Sequence, residues 1–203
     1  MCYNMKQPIP NKKFRYYLFY KPFNVLCQFT DEGGRDTLAK YGPFPNDVYP
    51  AGRLDYDSEG LVLLTNDGSL KNRLLEPKYA HPRTYLVQVE GVPKPGQLEE
   101  IRNGVVIYGE KMRGAEVSII EGEPDLPPRP VPIRFRKSIP TTWIELTIRQ
   151  GRNRQVRKMT AAVGLPTLRL VRIKIGGLML EGLLPGEWRE LSSDEIRQRV
   201  DFC

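Results

Sequence analysis

The apolar run Leu61–Thr65 (LVLLT) is the feature that most constrains the fold of this chain. A succession of apolar residues is typical of a strand that is covered on both faces, although a buried helix gives the same pattern. The turn-forming residues Asn66-Asp67-Gly68 follow at once, and such an early stop favours a strand. The acidic loop 52–60 therefore lies at the mouth of a rigid element, where catalytic groups are often found.

Three interpretations of the loop 52–60 compete. It could be a solvated acidic turn, which is the usual fate of such loops. It could bind calcium, because Asp55, Asp57, Glu59 and Gly60 occupy the first, third, fifth and sixth positions of an EF-hand loop. The twelfth position is Asn66 rather than glutamate, and strand-like sequence replaces the second helix, which argues against calcium. In the third interpretation the loop carries a catalytic carboxylate beside a cation, since position 53 is arginine.

The composition excludes several classes of protein. The chain of 203 residues can bury a sizeable core in one domain. It has no apolar run of transmembrane length and no signal-peptide core, so we expect a cytoplasmic protein with no membrane partner. Three widely separated cysteines and a single histidine, His81, argue against a disulfide framework, a zinc site and Ser-His-Asp chemistry.

The net charge of +7 is unevenly distributed along the chain. Between Arg134 and Lys174 there are 11 lysines and arginines but only one acid, Glu145, so this segment carries +10 and the remainder −3. A basic segment in an otherwise near-neutral protein indicates a polyanionic partner, although a merely solvated basic face is common.

The order of predicted elements indicates an α+β fold. Strands are predicted at 14–20, 61–65, 84–90, 105–107, 115–120, 143–148, 168–175 and 186–191, and helices at 69–75, 95–103, 153–163 and after Ser192 or Ser193. From Tyr85 to Ile173 this order resembles a split βαβ unit, with helices over one face of a mixed, largely antiparallel sheet. We expect a flexible tail at 1–13, one domain of two lobes at 14–191 with a proline-rich surface excursion at 122–140, and a C-terminal tail at 192–203.

The predicted helix 153–163 has an apolar and a basic face. At 100° per residue one side carries Val156, Met159, Thr160 and Val163, whereas the other carries Arg154, Arg157 and Lys158. Arg152 precedes the helix, whose N-terminus adds a positive partial charge. In the following strand Arg172 and Lys174 share one face, and Arg169 points to the other. Such an array could hold phosphates, and one member could hold a carboxylate.

Four motifs, in this order, resemble those of a known enzyme family. Gly52-Arg53-Leu54-Asp55 followed by 60–65, Arg83-Thr84-Tyr85, the basic stretch 151–159 and 185–188 are similar to the signatures of bacterial RNA pseudouridine synthases of the small-subunit synthase A type. The stretch 28–32 and the end of the domain most resemble the E-type branch, whose members act on the large subunit. Because the first predicted strand starts near Phe14, we expect no preceding S4 RNA-binding domain.

The resemblance implies the pseudouridine synthase catalytic fold, with a central RNA-binding cleft, and isomerisation of a uridine to pseudouridine in 23S ribosomal RNA. It implies no cofactor and no metal. The partner would be ribosomal RNA of the large subunit or an assembling ribosomal particle, and we expect a monomer. In the family, the aspartate matching Asp55 starts the chemistry, by attack on the uridine or through a glycal-like intermediate. The catalytic residues would be Asp55, Tyr85 and Arg157, and the RNA-binding residues would be Arg53, Arg152, Arg154, Lys158, Arg169 and Arg172.

The residues themselves support these roles and leave one alternative open. We expect Asp55 to pair with Arg157, which would keep the carboxylate ionised and fixed in place. Tyr85 could stack on a base extruded from the RNA, although without the family resemblance a core tyrosine is the preferred interpretation. The alternative is a non-catalytic module that binds ribosomal RNA or assists ribosome assembly. Asp55 argues against it, because a carboxylate in a phosphate-binding groove would repel RNA.

Overall fold

The computed structural model describes residues 13–133 and 136–200. The tail predicted at 1–13 lies outside the described residues apart from Lys13, and so do Cys2 and Cys203. Within the described part of the chain, no helix is long and apolar enough to cross a membrane.

The described residues form a mixed sheet and four α-helices, as the element order predicted. The strands are β1 (Tyr16–Lys21), β2 (Tyr49–Pro50), β3 (Glu59–Thr65), β4 (Arg83–Glu90), β5 (Val106–Ile107), β6 (Glu110–Lys111), β7 (Glu116–Ile119), β8 (Thr141–Ile148), β9 (Thr167–Ile175), β10 (Leu178–Met179) and β11 (Trp188–Leu191). The helices are α1 (Gly68–Leu75), α2 (Pro95–Asn103), α3 (Gln155–Ala162) and α4 (Ser193–Arg199), and short 3-10 turns cover Leu38–Tyr41 and Pro77–Tyr79.

One sheet organises the molecule. Its strand order is β11-β1-β3-β9-β4-β8-β7, with β2 added to β3 and β10 to β9, while β5 and β6 form a separate hairpin. Among the described strands the β3–β9 pair is parallel and the other pairs are antiparallel. The α+β class and the largely antiparallel sheet are therefore confirmed.

The central strand β3 is buried on both faces, as its apolar run predicted. Alternate residues of a strand point to opposite faces, and here Val62 and Leu64 belong to one core cluster whereas Leu61 and Leu63 belong to the other. Helices α2 and α3 contribute side chains to the first cluster, and α1 and α4 contribute to the second. The two helices between Tyr85 and Ile173 thus share one face of the sheet, as the split βαβ pattern indicated.

The C-terminal segment 192–200 is packed, which differs from the expected tail. Ser192 caps α4 by accepting a hydrogen bond from the Glu195 amide. Ile196 and Val200 are completely or almost completely buried in the second core cluster. A helix this short gains most of its stability from such an apolar face rather than from propensity.

A close contact between β3 and β9 sets the position of the loop before β3. Gly60 has φ +104° and pairs with Arg172 in the parallel register. A Cβ atom at Gly60 would lie 2.3 Å from the Arg172 carbonyl oxygen, so only glycine fits there. Because Arg172 also lies opposite Tyr85 on β4, this contact brings the loop 52–58 beside the middle of the sheet.

Candidate functional site

A cleft of about 530 Å³ opens where the loop 52–58 meets the sheet and the segment 151–156 that enters α3. Asp55 comes from the loop, Tyr85 from β4 and Leu170 from β9. Six of the nine predicted site residues line it: Arg53, Asp55, Tyr85, Arg152, Arg154 and Arg172. Elements that are distant in the sequence thus bring a carboxylate, an aromatic ring and several guanidinium groups to one opening.

Backbone hydrogen bonds and a buried lysine hold the loop that carries Asp55. The Ser58 amide donates to the Asp55 carbonyl at 3.1 Å, and the Asn24 amide donates to the Tyr56 carbonyl at 3.0 Å. Beneath them, the Lys21 ammonium donates to the carbonyls of Pro22, Val25 and Tyr56 at 2.8, 2.7 and 3.4 Å. Burial lowers the pKa of Lys21 to about 8.

Arg154 is the guanidinium that faces the loop carboxylates. It precedes α3 in the left-handed conformation, with φ +52°, which turns its side chain toward the loop. Both terminal nitrogens donate to the two carboxylate oxygens of Asp57 at 2.8 Å, and Nη1 lies 3.7 Å from Oδ2 of Asp55. One arginine thus fixes Asp57 in a bidentate pair and also attracts Asp55.

The predicted Asp55–Arg157 ion pair is not what the structure contains. Arg157 lies one turn further along α3, largely buried, and its Nε is 3.4 Å from Oδ2 of Asp57. Its Nη2 donates to the Asp57 carbonyl at 2.6 Å, and Nη1 donates to the Thr167 carbonyl at 3.4 Å. Since these contacts hold the guanidinium behind the loop, Arg157 supports the loop backbone rather than pairing with Asp55.

The electrostatics of the loop centre on Asp57. Partial burial opposes ionisation of this carboxyl, but the hydrogen bonds from Arg154 and the charge of Arg157 outweigh it and lower the pKa of Asp57. Asp57 thereby joins the loop to α3. Its position two residues after Asp55 was the available signal, but the pattern alone did not indicate a partner.

Tyr85 and Arg172 lie side by side on neighbouring strands and form part of the cleft wall. Tyr85 is 7 % exposed and also packs in the first core cluster, so the core-tyrosine and cleft-lining interpretations both apply. Arg172 is 3 % exposed, and its Nε donates to the Leu61 carbonyl at 2.8 Å. Within the described residues, its buried Nη2 has no hydrogen-bond partner. A buried donor of this kind is suited to an acceptor on a bound ligand.

Arg169, which was predicted to bind RNA, is buried in an ion pair and does not line the cleft. Its guanidinium is 6 % exposed and makes two hydrogen bonds of 2.9 Å to the carboxylate of Glu59, which is itself buried. It also donates to the Pro127 carbonyl of the proline-rich excursion at 2.8 Å. The alternation of β9 assigned Arg169 to a face, but it could not indicate that the excursion covers that face.

The carboxylates of the loop have different partners, which also removes the basis for a calcium site. Asp57 forms ion pairs with Arg154 and Arg157, whereas Glu59 forms a buried ion pair with Arg169. Among the residues that the structure describes, no group of three or more histidine, cysteine, aspartate or glutamate side chains is placed to hold a metal.

Several cleft residues were not identified from the sequence as site residues. Asn153 and Gln155 line the opening beside Arg152, and Arg83 lines it while donating to the Leu74 carbonyl at 2.7 Å. Asn153 and Arg83 belonged to recognised motifs, so their motif membership was the signal that could have found them. Lys158 lies outside the cleft, with its ammonium 5.5 Å from the ring centroid of Tyr108.

Comparisons with known proteins bear on this cleft. A model of the RNA pseudouridylate synthase family matches residues 15–162. The chain is 55 % identical over 175 residues to "Ribosomal large subunit pseudouridine synthase E" of Vibrio vulnificus, covering 86 % of this chain and 74 % of that protein. It is 52 % identical over 182 residues to the protein of the same name from Xanthomonas campestris, covering 89 % of this chain and 97 % of that protein.

A solved structure shares the fold. The "Crystal structure of pseudouridylate synthase" superimposes with a TM-score of 0.77 at 30 % sequence identity, covering 93 % of this chain and 74 % of that chain. The sequence resemblance to RNA pseudouridine synthases, and to those of the E type in particular, is therefore confirmed.

Proposed function

This chain belongs to the RNA pseudouridylate synthase family, and from that premise we propose that its cleft converts a uridine of the large-subunit ribosomal RNA into pseudouridine. The chain is an RNA pseudouridine synthase. The choice of large-subunit RNA rests on the names of relatives that are at least 52 % identical over most of the chain. We further propose that the protein acts as a monomer in the cytoplasm, on free ribosomal RNA or on an assembling particle.

A single extruded uridine is the occupant that the cleft suits. Its volume of about 530 Å³ lies within the range of roughly 300–1,000 Å³ that is usual for ligand pockets. Enzymes that act on a base must first remove it from its stack, and an aromatic ring such as Tyr85 can replace the lost stacking. The unpartnered Nη2 of Arg172 can donate to a carbonyl oxygen of the uracil. Arg172 would therefore bind the base rather than a phosphate.

Asp55 is the group that we assign to the chemical step. In the isomerisation the N1–C1′ bond of uridine breaks, a C5–C1′ bond forms, the proton on C5 leaves and N1 gains a proton. A carboxylate can start this reaction as a nucleophile or by assisting departure of the base. Arg154, which makes the ion pair with Asp55, and Arg157, which supports the loop through Asp57, would act as positioning residues.

The observation that carries the proposal is the shared cleft of Asp55 and Tyr85 inside a wall of arginines. A surface that only bound RNA phosphates would gain nothing from a carboxylate at its centre, because the carboxylate repels phosphate. An enzyme that breaks a glycosidic bond has a use for that carboxylate. Catalysis is therefore favoured over the alternative of a non-catalytic binding module.

Release of tritium from an in vitro transcript of large-subunit ribosomal RNA containing 5-[³H]uridine tests the proposal. We expect Asp55→Asn to reduce the release rate by at least about 100-fold, because the group that starts the reaction is lost. Its Kd for the same transcript should not rise, since a negative charge has left a basic groove. The exposed carboxylate of Asp194 on α4 provides a matched control, and Asp194→Asn should keep the wild-type rate. Equal release by wild type and Asp55→Asn would overturn the catalytic assignment and leave only RNA binding.

A further inference from the structure

The tip of the β5–β6 hairpin carries an aromatic residue in a position that the turn itself disfavours. Ile107 pairs with Glu110, so Tyr108 and Gly109 form a two-residue loop. Their φ angles are +52° and +81°, and positive values at both positions define a type I′ turn. Such turns favour Asn-Gly or Asp-Gly, because a bulky residue such as tyrosine is strained in the left-handed region.

Packing does not account for Tyr108 either. Its side chain is 90 % exposed, so burial contributes almost nothing to keeping a tyrosine there. A strained and exposed aromatic residue is a reason to look for a function outside the fold. The contact that the structure does give it is with Lys158 of α3, whose ammonium lies 5.5 Å from the ring centroid. A ring with a cation beside it is the combination with which proteins hold unpaired bases and their phosphates.

The hairpin adjoins the candidate active site. A smaller cavity of about 360 Å³ lies between the hairpin and the start of α3. Arg152, Asn153 and Gln155 line both this cavity and the cleft that contains Asp55. An ion pair between Arg152 and Glu110 ties the hairpin to the rim that the two openings share. A strand with one nucleotide in the cleft could therefore continue over this rim toward Tyr108.

We propose that Tyr108 is a stacking platform for an unpaired base of the substrate RNA, a short distance along the strand from the uridine in the cleft. This inference rests on the proposed function, because it takes the RNA to be in the cleft. Lys158 binds a phosphate of the same strand beside the ring. The site reads no particular base, since every base offers a face for stacking. The adjacent cation and the shared rim favour RNA over a protein partner.

The decisive variant replaces Tyr108 by the residue that the turn prefers. Tyr108→Asn should fold at least as well as wild type, so its thermal midpoint should be equal or higher. Its Kd for an in vitro transcript of large-subunit ribosomal RNA should rise about 10-fold, within the range of a lost stacking contact. Tyr108→Phe keeps the ring and should bind like wild type. Val92→Asn changes another exposed apolar position, beyond the far end of β4, and should also bind like wild type.

The salt dependence of binding separates stacking from charge. Tyr108→Asn should leave the slope of log K against log salt unchanged, whereas Lys158→Ala should reduce its magnitude by about 0.7. A wild-type Kd for Tyr108→Asn in a protein that still releases tritium would overturn this inference alone. So would a Tyr108→Phe variant as weak as Tyr108→Asn, or a defect seen with ribosomal particles but not with naked RNA. If the wild type itself neither released tritium nor bound the RNA, the proposed function would be overturned instead.

Discussion

The ammonium of Lys21 is completely buried beneath the loop that carries Asp55. Three backbone carbonyls accept its hydrogen bonds, and one of them, Tyr56, belongs to the loop. Burial lowers the pKa of Lys21 from its ordinary value of 10.5 to about 8, since the charged form loses its hydration. The side chain that supports the active-site loop therefore makes stability depend on pH.

We predict the sign of that dependence from the direction of the shift. The folded protein holds the Lys21 proton less tightly than the unfolded chain does. The buried ammonium therefore destabilises the fold fully below pH 8, and this destabilisation disappears as the pH approaches 10.5. Between pH 8 and pH 10, the free energy of unfolding of the wild type should rise by about 2 kcal/mol relative to Lys21→Met. Urea denaturation of both proteins across this range measures the difference.

The comparison with Lys21→Met isolates this one group. Burial raises the pKa of Cys27, and it raises the pKa of Tyr16 and of Tyr20 to about 12, so these groups change the stability in the same alkaline range. The contributions of the two tyrosines are common to both proteins and cancel in the difference. Because the charges of Lys21 and Cys27 influence each other, both proteins in this comparison should also carry Cys27→Ala. Parallel pH profiles for the two proteins would mean that the buried ammonium is not destabilised in the folded state.

At the residue scale, sequence motifs indicated which residues share the cleft but not which of them touch. Asp55 and Tyr85 line one opening, as their motifs implied. The predicted partner of Asp55 was wrong because helical periodicity indicates on which side of the helix a residue lies, but not which group its side chain contacts. Arg154 reaches the loop through a left-handed backbone at the start of α3, and no spacing rule anticipates that conformation.

At the element scale, a buried ion pair joins the parallel strands β3 and β9. Glu59 and Arg169 are both nearly inaccessible, and they meet through two hydrogen bonds of 2.9 Å. Taking two charges out of water is unfavourable, so such a pair adds little net stability over apolar residues of similar size. Removing one partner alone is strongly destabilising, because it leaves an uncompensated charge in the interior.

We predict strong coupling between these two side chains. Glu59→Gln and Arg169→Met should each reduce the free energy of unfolding by about 3–5 kcal/mol, whereas the double variant should lose less than the sum of the two. Urea denaturation of the four proteins gives the coupling energy. The folded fraction of Arg169→Met should also bind ribosomal RNA like wild type, because Arg169 is covered by the excursion. Additive losses, or weaker RNA binding by folded Arg169→Met, would contradict this assignment.

The elements themselves follow from the sequence where they are long and strongly patterned. The apolar run of β3 and the apolar stripe of α3 were both recognisable, and both are buried as predicted. The two-residue strands β2, β6 and β10 were not predicted, because so short a segment has no periodicity and forms only against a neighbour already in place. The contact of Pro127 with Arg169 could not be predicted for a related reason, because a proline-rich sequence indicates a break in regular structure but not the surface against which the chain packs.

At the scale of the whole molecule, the fold uses much of the charge that the sequence concentrates in one segment. Of the 11 cations between Arg134 and Lys174, the structure describes all but Arg134, and six of the described ones form ion pairs with acids that lie outside that segment. These six are Arg136, Arg149, Arg152, Arg154, Arg157 and Arg169. A cation that exchanges its carboxylate for an RNA phosphate releases a counterion from the RNA, but the freed carboxylate takes one up. Such exchanges add little to the net release of ions that drives binding.

We therefore predict a salt dependence weaker than the sequence suggests. If all 11 cations neutralised phosphates, the slope of log K against log salt for a single-stranded RNA site would be about −8. With six of them already paired, Arg172 assigned to the base and Arg53 added at the cleft mouth, five cations remain for phosphates, and we expect a slope of about −3.5. Titrations of the ribosomal RNA transcript between about 50 and 200 mM salt measure it. Arg53→Gln should flatten the slope by about 0.7, because this exposed arginine lines the cleft. A wild-type slope near −8 would contradict this prediction, because it would mean that the ion-paired cations, or cations outside the basic segment, also neutralise phosphates.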